Sequence, residues 1–143
     1  MKQKNELSKI ELTITTRFEY RDILCPCCRS ITLFPIVFHH MDLLGKLQDS
    51  CDHPLVILSG QRCEKYNHSI GAPHQSWHRH FATDIAPNRF EFDSVDVFES
   101  TLNDLYREAI RLGFRGVGLF TSDDPFSGHL HLDMRPVPQH WRF

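Results

Sequence analysis

Histidine and carboxylate side chains alternate with leucines near the carboxyl end of the chain. Residues 129–133 read His-Leu-His-Leu-Asp, and a β-strand of this sequence would place His129, His131 and Asp133 on one face and the leucines in the core. Two imidazoles and a carboxylate on one strand face can provide a zinc ligand, a general base and a partner that orients the ligand. An exposed polar strand face would show the same alternation, so this segment alone does not distinguish the two interpretations.

A second segment combines histidine with aspartate. Residues 76–84 read Ser-Trp-His-Arg-His-Phe-Ala-Thr-Asp. Along a straight strand His78 and Asp84 would lie about 20 Å apart, so both can reach one metal ion only if the chain turns between them. Three protein ligands from two such segments, with a fourth position open, form the type of zinc site that activates water for hydrolysis.

An arginine follows the first apolar run of the chain. Residues 55–58 are Leu-Val-Ile-Leu, and Ser-Gly-Gln-Arg-Cys comes directly after them at residues 59–63. An arginine displayed at the end of a strand can bind a carboxylate or stabilise a developing oxyanion. On spacing alone, an ordinary surface arginine is the favoured interpretation of Arg62.

The five cysteines are an odd number in a chain with no visible secretory signal, so we expect free thiols or metal ligands. Four of them are candidates for a second, structural zinc site: Cys25, Cys27, Cys28 and Cys63. Because the C-x-C-C run differs from the usual C-x2-C pair, a second ion is the less favoured interpretation. A link between Cys63 and the run at residues 25–28 is the alternative for a protein that works outside the cell.

Apolar spacing predicts the elements that must position these residues. It indicates two helices, over residues 36–50 and from an N-cap at Ser94 to a stop at Gly113. Four strands are predicted, the first of them buried, at residues 55–58, 81–86, 115–120 and 129–134. The polar segment 61–80 is predicted to be a loop. We therefore expect one α+β domain over residues 1–143, with residues 1–17 as a flexible arm.

Composition excludes several classes of protein. The chain has 143 residues, of which 41% are hydrophobic, and a net charge of −2, so it lacks the basic excess typical of nucleic-acid-binding proteins. No apolar run approaches the roughly 18 residues that span a bilayer, so membrane insertion is not expected. Because the first twenty residues lack the apolar core of a signal peptide, we expect synthesis in the cytoplasm.

Four separated motifs, taken in order, resemble one family. They are SGxRC-x2-YN from Ser59, S-x-H followed by A-x-D-I from Ser76, GF-x-G-x-G from Gly113, and H-x-D-x-R from His131, with a tryptophan near the end. This pattern resembles the zinc D-alanyl-D-alanine peptidases, which include D,D-carboxypeptidases and L,D-endopeptidases. The likeness is greatest to the short phage and prophage branch, and it extends from about Phe18 across nearly the whole chain.

The resemblance implies a zinc ion held by His78, Asp84 and His131. It also implies that Arg62 polarises the scissile carbonyl and that Ser76 helps to hold the substrate peptide. The implied fold is a small antiparallel sheet flanked by helices, as in the hedgehog signalling domain. The implied reaction is hydrolysis of peptidoglycan stem peptides by a metal-activated water, in a protein that reaches the cell wall during phage lysis.

Departures from the family pattern leave the first metal ligand and the substrate preference open. Five residues separate His78 from Asp84, one fewer than is usual in the family, so His80 is the alternative first ligand. Gln61 stands where many relatives have an aromatic residue, and the preferred peptide bond therefore cannot be carried over.

The general base is open as well. Better-known branches of the family have a carboxylate at the position of Gly128, so His129 and Asp133 are the candidates that remain. The missing carboxylate also favours an alternative function, a catalytically inactive, zinc-stabilised domain that binds a peptide or another protein.

Overall fold

The computed structural model describes residue 18, residues 20–31 and residues 35–143. The arm expected at residues 1–17 lies outside the described residues. The helices of the described part are α1 (Pro35–Asp49), α2 (Glu64–Ser69) and α3 (Val95–Leu112). The strands are β1 (Leu55–Ser59), β2 (Ala82–Pro87), β3 (Gly116–Phe120), β4 (His129–Asp133) and β5 (Gln139–Arg142).

The strands form one mixed sheet in the order β1-β2-β4-β3-β5. Neighbouring strands are antiparallel except that β5 runs parallel to β3. The α+β prediction is confirmed, whereas the expectation of a wholly antiparallel sheet is corrected at this one edge. The reason is the path of the chain. After β4 the chain reverses direction and crosses beyond β3, so that β5 pairs with the outer edge of β3.

Helix α3 begins and ends where its sequence predicts. The Ser94 hydroxyl accepts a hydrogen bond from the Val97 N–H at the amino end. Gly113, with φ of 107°, adopts the left-handed conformation that ends the helix, which glycine does at little cost. Four residues spaced along one face are buried against the sheet: Phe98, Leu102, Leu105 and Ala109.

Two predictions for the first half of the chain are wrong. Strand β1 is not fully buried, because it lies at the edge of the sheet and leaves Val56 and Leu58 40% and 56% exposed. The segment 61–80 is not simply a loop, since it contains α2, with Cys63 as N-cap, and a 3-10 turn at Trp77–Arg79. Neither short element has the apolar periodicity that reveals a longer helix.

The two faces of the sheet have different roles. Leu130 and Leu132 of β4 are fully buried in the core shared with α3. Between them in the sequence, His131 points to the opposite face, because side chains alternate along a strand. Helices α1 and α3 therefore cover one face of the sheet, and the polar residues of β4 occupy the other.

Candidate metal centre

Three side chains converge on the polar face of the sheet. Asp84 of β2 and His131 of β4 are directly paired in the antiparallel register, which brings their side chains side by side. His78 reaches them from the 3-10 turn that precedes β2. One nitrogen or oxygen atom from each of the three residues lies within 4.8 Å of the others.

The 3-10 turn explains how a short spacing still brings His78 to Asp84. The Ser76 hydroxyl caps the turn by accepting the His78 N–H at 3.3 Å. Phe81 then enters the core, where it is 4% exposed. His80 is exposed and packs against the ring of Trp77, with ring centroids 5.1 Å apart. The structure therefore brings His78, and not His80, to the cluster.

A hydrogen bond fixes the ring of His78. Its Nδ1 lies 2.7 Å from the carbonyl oxygen of Gly60, and because a carbonyl can only accept, Nδ1 carries the proton. The other nitrogen, Nε2, then faces Asp84 Oδ1 at 3.1 Å with a lone pair available when the ring is neutral. Burial to 3% exposure keeps the ring in this orientation, which suits a metal ligand.

His131 is held from the opposite side by a carboxylate. Its Nε2 donates to Asp133 Oδ2 at 2.7 Å, and its Nδ1 lies 3.1 Å from Asp84 Oδ1. Burial lowers the pKa of His131, but the hydrogen bonds to Asp133 and Asp84 outweigh it and raise this pKa. A carboxylate behind a histidine ring is the arrangement that orients ligands in zinc sites.

Arg135 in turn holds Asp133. Its backbone N–H and Nε donate to Asp133 Oδ1 at 3.0 and 2.9 Å, and its Nη2 donates to Oδ2 at 2.6 Å. The guanidinium lies between the rings of Trp77 and Trp141, 5.3 and 4.8 Å from their centroids. Burial would raise the pKa of Asp133, yet Arg135 and His131 hold it well below its usual range.

Two glycines of β3 leave room for these side chains. A Cβ on Gly116 would lie 2.1 Å from Asp133 Oδ1, and a Cβ on Gly118 would lie 2.4 Å from the ring of Trp141. Both glycines are paired with residues of β4 in the sheet, Gly116 with Asp133 and Gly118 with His131. The absence of side chains at these two positions of β3 therefore makes room for Asp133 and Trp141.

The donor set fits zinc. Two imidazole nitrogens and one carboxylate oxygen are the ligands of a catalytic zinc site, which keeps a fourth position open. Burial would raise the pKa of Asp84, but hydrogen bonds from His131 and His78 lower it well below its usual range. The carboxylate is therefore ionised and ready to bind a cation.

The comparisons with known proteins agree with this geometry. The sequence model of the family described as Peptidase M15 matches residues 16–133. The chain belongs to the M15 family of zinc peptidases. Among curated proteins, no match to the chain is found. As an M15 peptidase the chain is a member of a hydrolase family, and the cluster of His78, Asp84 and His131 is the metal site that its described residues offer for such chemistry.

Arg62 of this M15 peptidase reaches the edge of the cluster. Its Nη2 lies 3.6 Å from Asp84 Oδ2, and its Nε donates to the Ser59 hydroxyl at 3.3 Å. Its backbone N–H donates to the carbonyl of His78 at 2.8 Å, so the end of β1 and the 3-10 turn are joined here. The side chain is 14% exposed, so it is largely buried beside the cluster.

The two candidate bases of the M15 peptidase have different surroundings. Asp133 is fully buried, and both of its oxygens accept hydrogen bonds from His131 or Arg135. His129 is half-buried and stacks on Phe120 with ring centroids 4.9 Å apart. Burial lowers the pKa of His129, which favours the neutral ring. Gly128 is buried, and a Cβ there would lie 2.5 Å from Leu102 Cδ1, so a larger side chain at this position would have to displace the Leu102 side chain.

Sequence reasoning alone did not assign roles to Arg135, Gly116 or Gly118. The motifs H-x-D-x-R and GF-x-G-x-G contain them, so a signal was present in the spacing. Their roles depend on the pairing of β3 with β4 and on the position of Trp141 in β5, which local periodicity does not predict.

Proposed function

We propose that this M15 peptidase is a zinc-dependent hydrolase of peptide bonds in bacterial peptidoglycan, with D,D- or L,D-specificity. The observation that supports the proposal most directly is the orientation of the ligands. Hydrogen bonds from His78 to Gly60 and from His131 to Asp133 turn one nitrogen of each ring toward Asp84. Structural reinforcement of this kind is typical of a preorganised site.

His78, Asp84 and His131 would hold the zinc ion. Zinc with three protein ligands supplies a Lewis acid that activates water for attack on an amide carbonyl. In our proposal Arg62 donates to the oxygen of the scissile carbonyl as negative charge develops there. Its distance from Asp84 Oδ2, 3.6 Å, leaves it close enough to the cluster to contact a bound substrate.

His129 is the proposed proton acceptor. It lies two residues from His131 on the same strand face, a separation of about 7 Å, and stacking on Phe120 holds its ring. Asp133 is proposed to orient His131, because its oxygens already accept hydrogen bonds in a fully buried position. Ser76 caps the turn of His78, and we propose that its half-buried hydroxyl also contacts the substrate peptide.

The test is release of peptides from purified peptidoglycan by the zinc-loaded chain, followed by mass spectrometry of the products. Activity that is lost in His131→Ala supports the proposal, and the masses of the products identify the bond that is cut. Absence of release by folded, zinc-loaded protein, over a set of D,D- and L,D-linked peptides, would contradict it.

A second candidate function, a zinc-stabilised domain that binds peptides without cleaving them, is favoured by one observation. The position of the family carboxylate is a buried glycine, Gly128, which has no side chain to accept a proton. Binding of an intact stem peptide with an affinity unaffected by His129→Gln, in the absence of any cleavage, would support this candidate.

A further inference from the structure

Three cysteines form a second cluster, which shares no residue with the first. The Sγ atoms of Cys25, Cys28 and Cys63 all lie within 4.8 Å of one another. Cys25 is fully buried, whereas Cys28 is exposed. Cys27, which lies between them in the sequence, is exposed and does not belong to this group.

A tight turn brings the first two thiols together. The Arg29 N–H donates to the carbonyl of Cys25 and the Cys25 N–H donates to the carbonyl of Ser30, both at 2.9 Å. Arg29 has a φ of 57°, the left-handed conformation that few residues other than glycine adopt. Because Cys27 stays outside, the pair that converges is a C-x2-C pair, the spacing common in structural zinc sites.

Backbone N–H groups point at the buried sulfur. The Cys63 N–H lies 3.3 Å from Cys25 Sγ. Burial alone would raise the pKa of the Cys25 thiol, but the backbone N–H groups of Cys63, Cys28 and Cys27 outweigh it and lower this pKa to about 7. Donors arranged in this way stabilise a thiolate, the form of cysteine that binds metals.

The Cys63 thiol is in a less favourable environment for ionisation than the Cys25 thiol. The Tyr66 N–H, 3.4 Å from Cys63 Sγ, favours the Cys63 thiolate. Burial and the neighbouring Cys25 and Cys28 thiols nevertheless leave the pKa of Cys63 raised. Three sulfurs at this separation repel one another once they are ionised, and a thiophilic divalent cation between them would remove that repulsion.

We propose that Cys25, Cys28 and Cys63 bind a second zinc ion as thiolates, with a structural role. The fourth coordination position would be taken by water or by another donor. This site reverses the preference for a single ion that the C-x-C-C pattern suggested. Zinc binding here can be tested separately from the proposed peptidase activity, because the two clusters share no residue.

The second ion would link residues 23–28 to residues 60–63, which lie beside the candidate metal centre. The Gln61 N–H donates to the carbonyl of Ile23 at 2.9 Å, and a Cβ on Gly60 would lie 2.5 Å from Ile23 Cα, so the two segments already touch. Gly60 holds the ring of His78, and Arg62 precedes Cys63. A metal link at Cys63 would therefore restrain the backbone that positions both residues.

The test is the number of zinc ions per chain, measured by elemental mass spectrometry on full-length protein kept reduced, loaded with zinc and dialysed. We expect about two ions in the wild type and about one in either Cys28→Ser or Asp84→Asn. Cys27→Ser is the matched control, since Cys27 is adjacent in sequence and also exposed, and this variant should keep both ions. Because Cys28 is exposed, its replacement by serine should leave the fold intact.

Cobalt(II) identifies the ligands independently of zinc content and of activity. Asp84→Asn loaded with cobalt should show the intense sulfur-to-metal charge-transfer absorption, and Cys28→Ser should lose it. A wild type that binds one ion, lost in Asp84→Asn and kept in Cys28→Ser, would overturn the proposal. So would a disulfide between two of these cysteines together with no uptake of a second ion after reduction.

Discussion

At the scale of single residues, the candidate centre depends on side chains that never touch the metal position. Arg135 is the clearest example, because it contacts both oxygens of Asp133 and is fixed between two tryptophan rings. Only a planar guanidinium can make these contacts together, since an ammonium group is a single point of charge.

Replacing Arg135 by lysine should weaken zinc binding by about 10- to 100-fold, the usual cost of losing a residue that supports a metal ligand. The loss follows because Asp133 would no longer be held where it orients His131. Competition with a chromophoric zinc chelator measures the affinity. Arg111→Lys, an exposed pair with Glu108 on α3, is the control, and equal affinities in the two variants would contradict this role.

Replacing His129 by glutamine tests the proposed base. Turnover of a peptidoglycan peptide should fall by about 10²- to 10⁴-fold, as expected for loss of general base catalysis, while zinc content stays unchanged. Steady-state kinetics with zinc-loaded protein provides the measurement. A variant with wild-type turnover would assign the proton transfer to another group.

His40 should make the zinc-free protein sensitive to mild acid. It is fully buried, its Nε2 pairs with Thr83 Oγ1 at 2.9 Å, and burial lowers its pKa from 6.5 to about 3. Above pH 6.5 the ring is neutral in both the folded and the unfolded chain, so titration of His40 takes nothing from the free energy of unfolding. Between pH 6.5 and 3 only the unfolded chain binds it, and stability falls by up to about 1.4 kcal/mol per pH unit.

His40→Gln removes this titration and keeps a hydrogen-bonding partner for Thr83. Urea unfolding of chelator-treated protein between pH 6 and 4.5 should therefore give a shallower pH dependence in the variant than in the wild type. Parallel pH profiles would show that His40 is not responsible for the acid sensitivity.

At the scale of elements, β3 and β4 build the centre as a pair. Gly116→Ala places a methyl group 2.1 Å from the present position of Asp133 Oδ1, so the carboxylate must move away from His131. We expect Gly116→Ala to reduce the free energy of zinc binding markedly more than it reduces the free energy of unfolding. Val117→Ala, on the opposite face of the same strand, should do the reverse, because it opens a cavity of the kind that costs about 1 kcal/mol or more.

Elements with local signals were predictable from the sequence. Helix α3 has a serine cap, a one-sided apolar face and a glycine stop, and its bounds were predicted. Strand β5 has no such signal, since Gln139, His140 and Arg142 are exposed and polar. Its formation depends on pairing with β3, a contact between distant parts of the sequence.

The candidate centre follows the same division. Alternation along β4 predicts that His131 and Asp133 share one face. The hydrogen-bonding partners of the His78 and His131 ring nitrogens can be identified only from the folded structure. The carbonyl of Gly60 that holds His78 lies 18 residues away in the sequence. The cysteine candidates divide for a similar reason, because the turn at Arg29 brings Cys28, and not Cys27, to Cys25 and Cys63.

At the scale of the whole molecule, helices α1 and α3 and the candidate metal centre lie on opposite faces of one sheet. Substitutions in the core of α3 should therefore change stability more than they change the centre. No helix within the described part of the chain is both long and apolar enough to cross a membrane.

The position of the tryptophans has an optical consequence. The chain contains two, and both rings lie against Arg135, with Trp141 also 5.6 Å from the ring of His131. All indole fluorescence of the protein therefore originates beside the candidate metal centre. Zinc titration should change the emission of the unlabelled wild type and leave that of Asp84→Asn nearly constant, so the protein contains its own reporter of events at this centre.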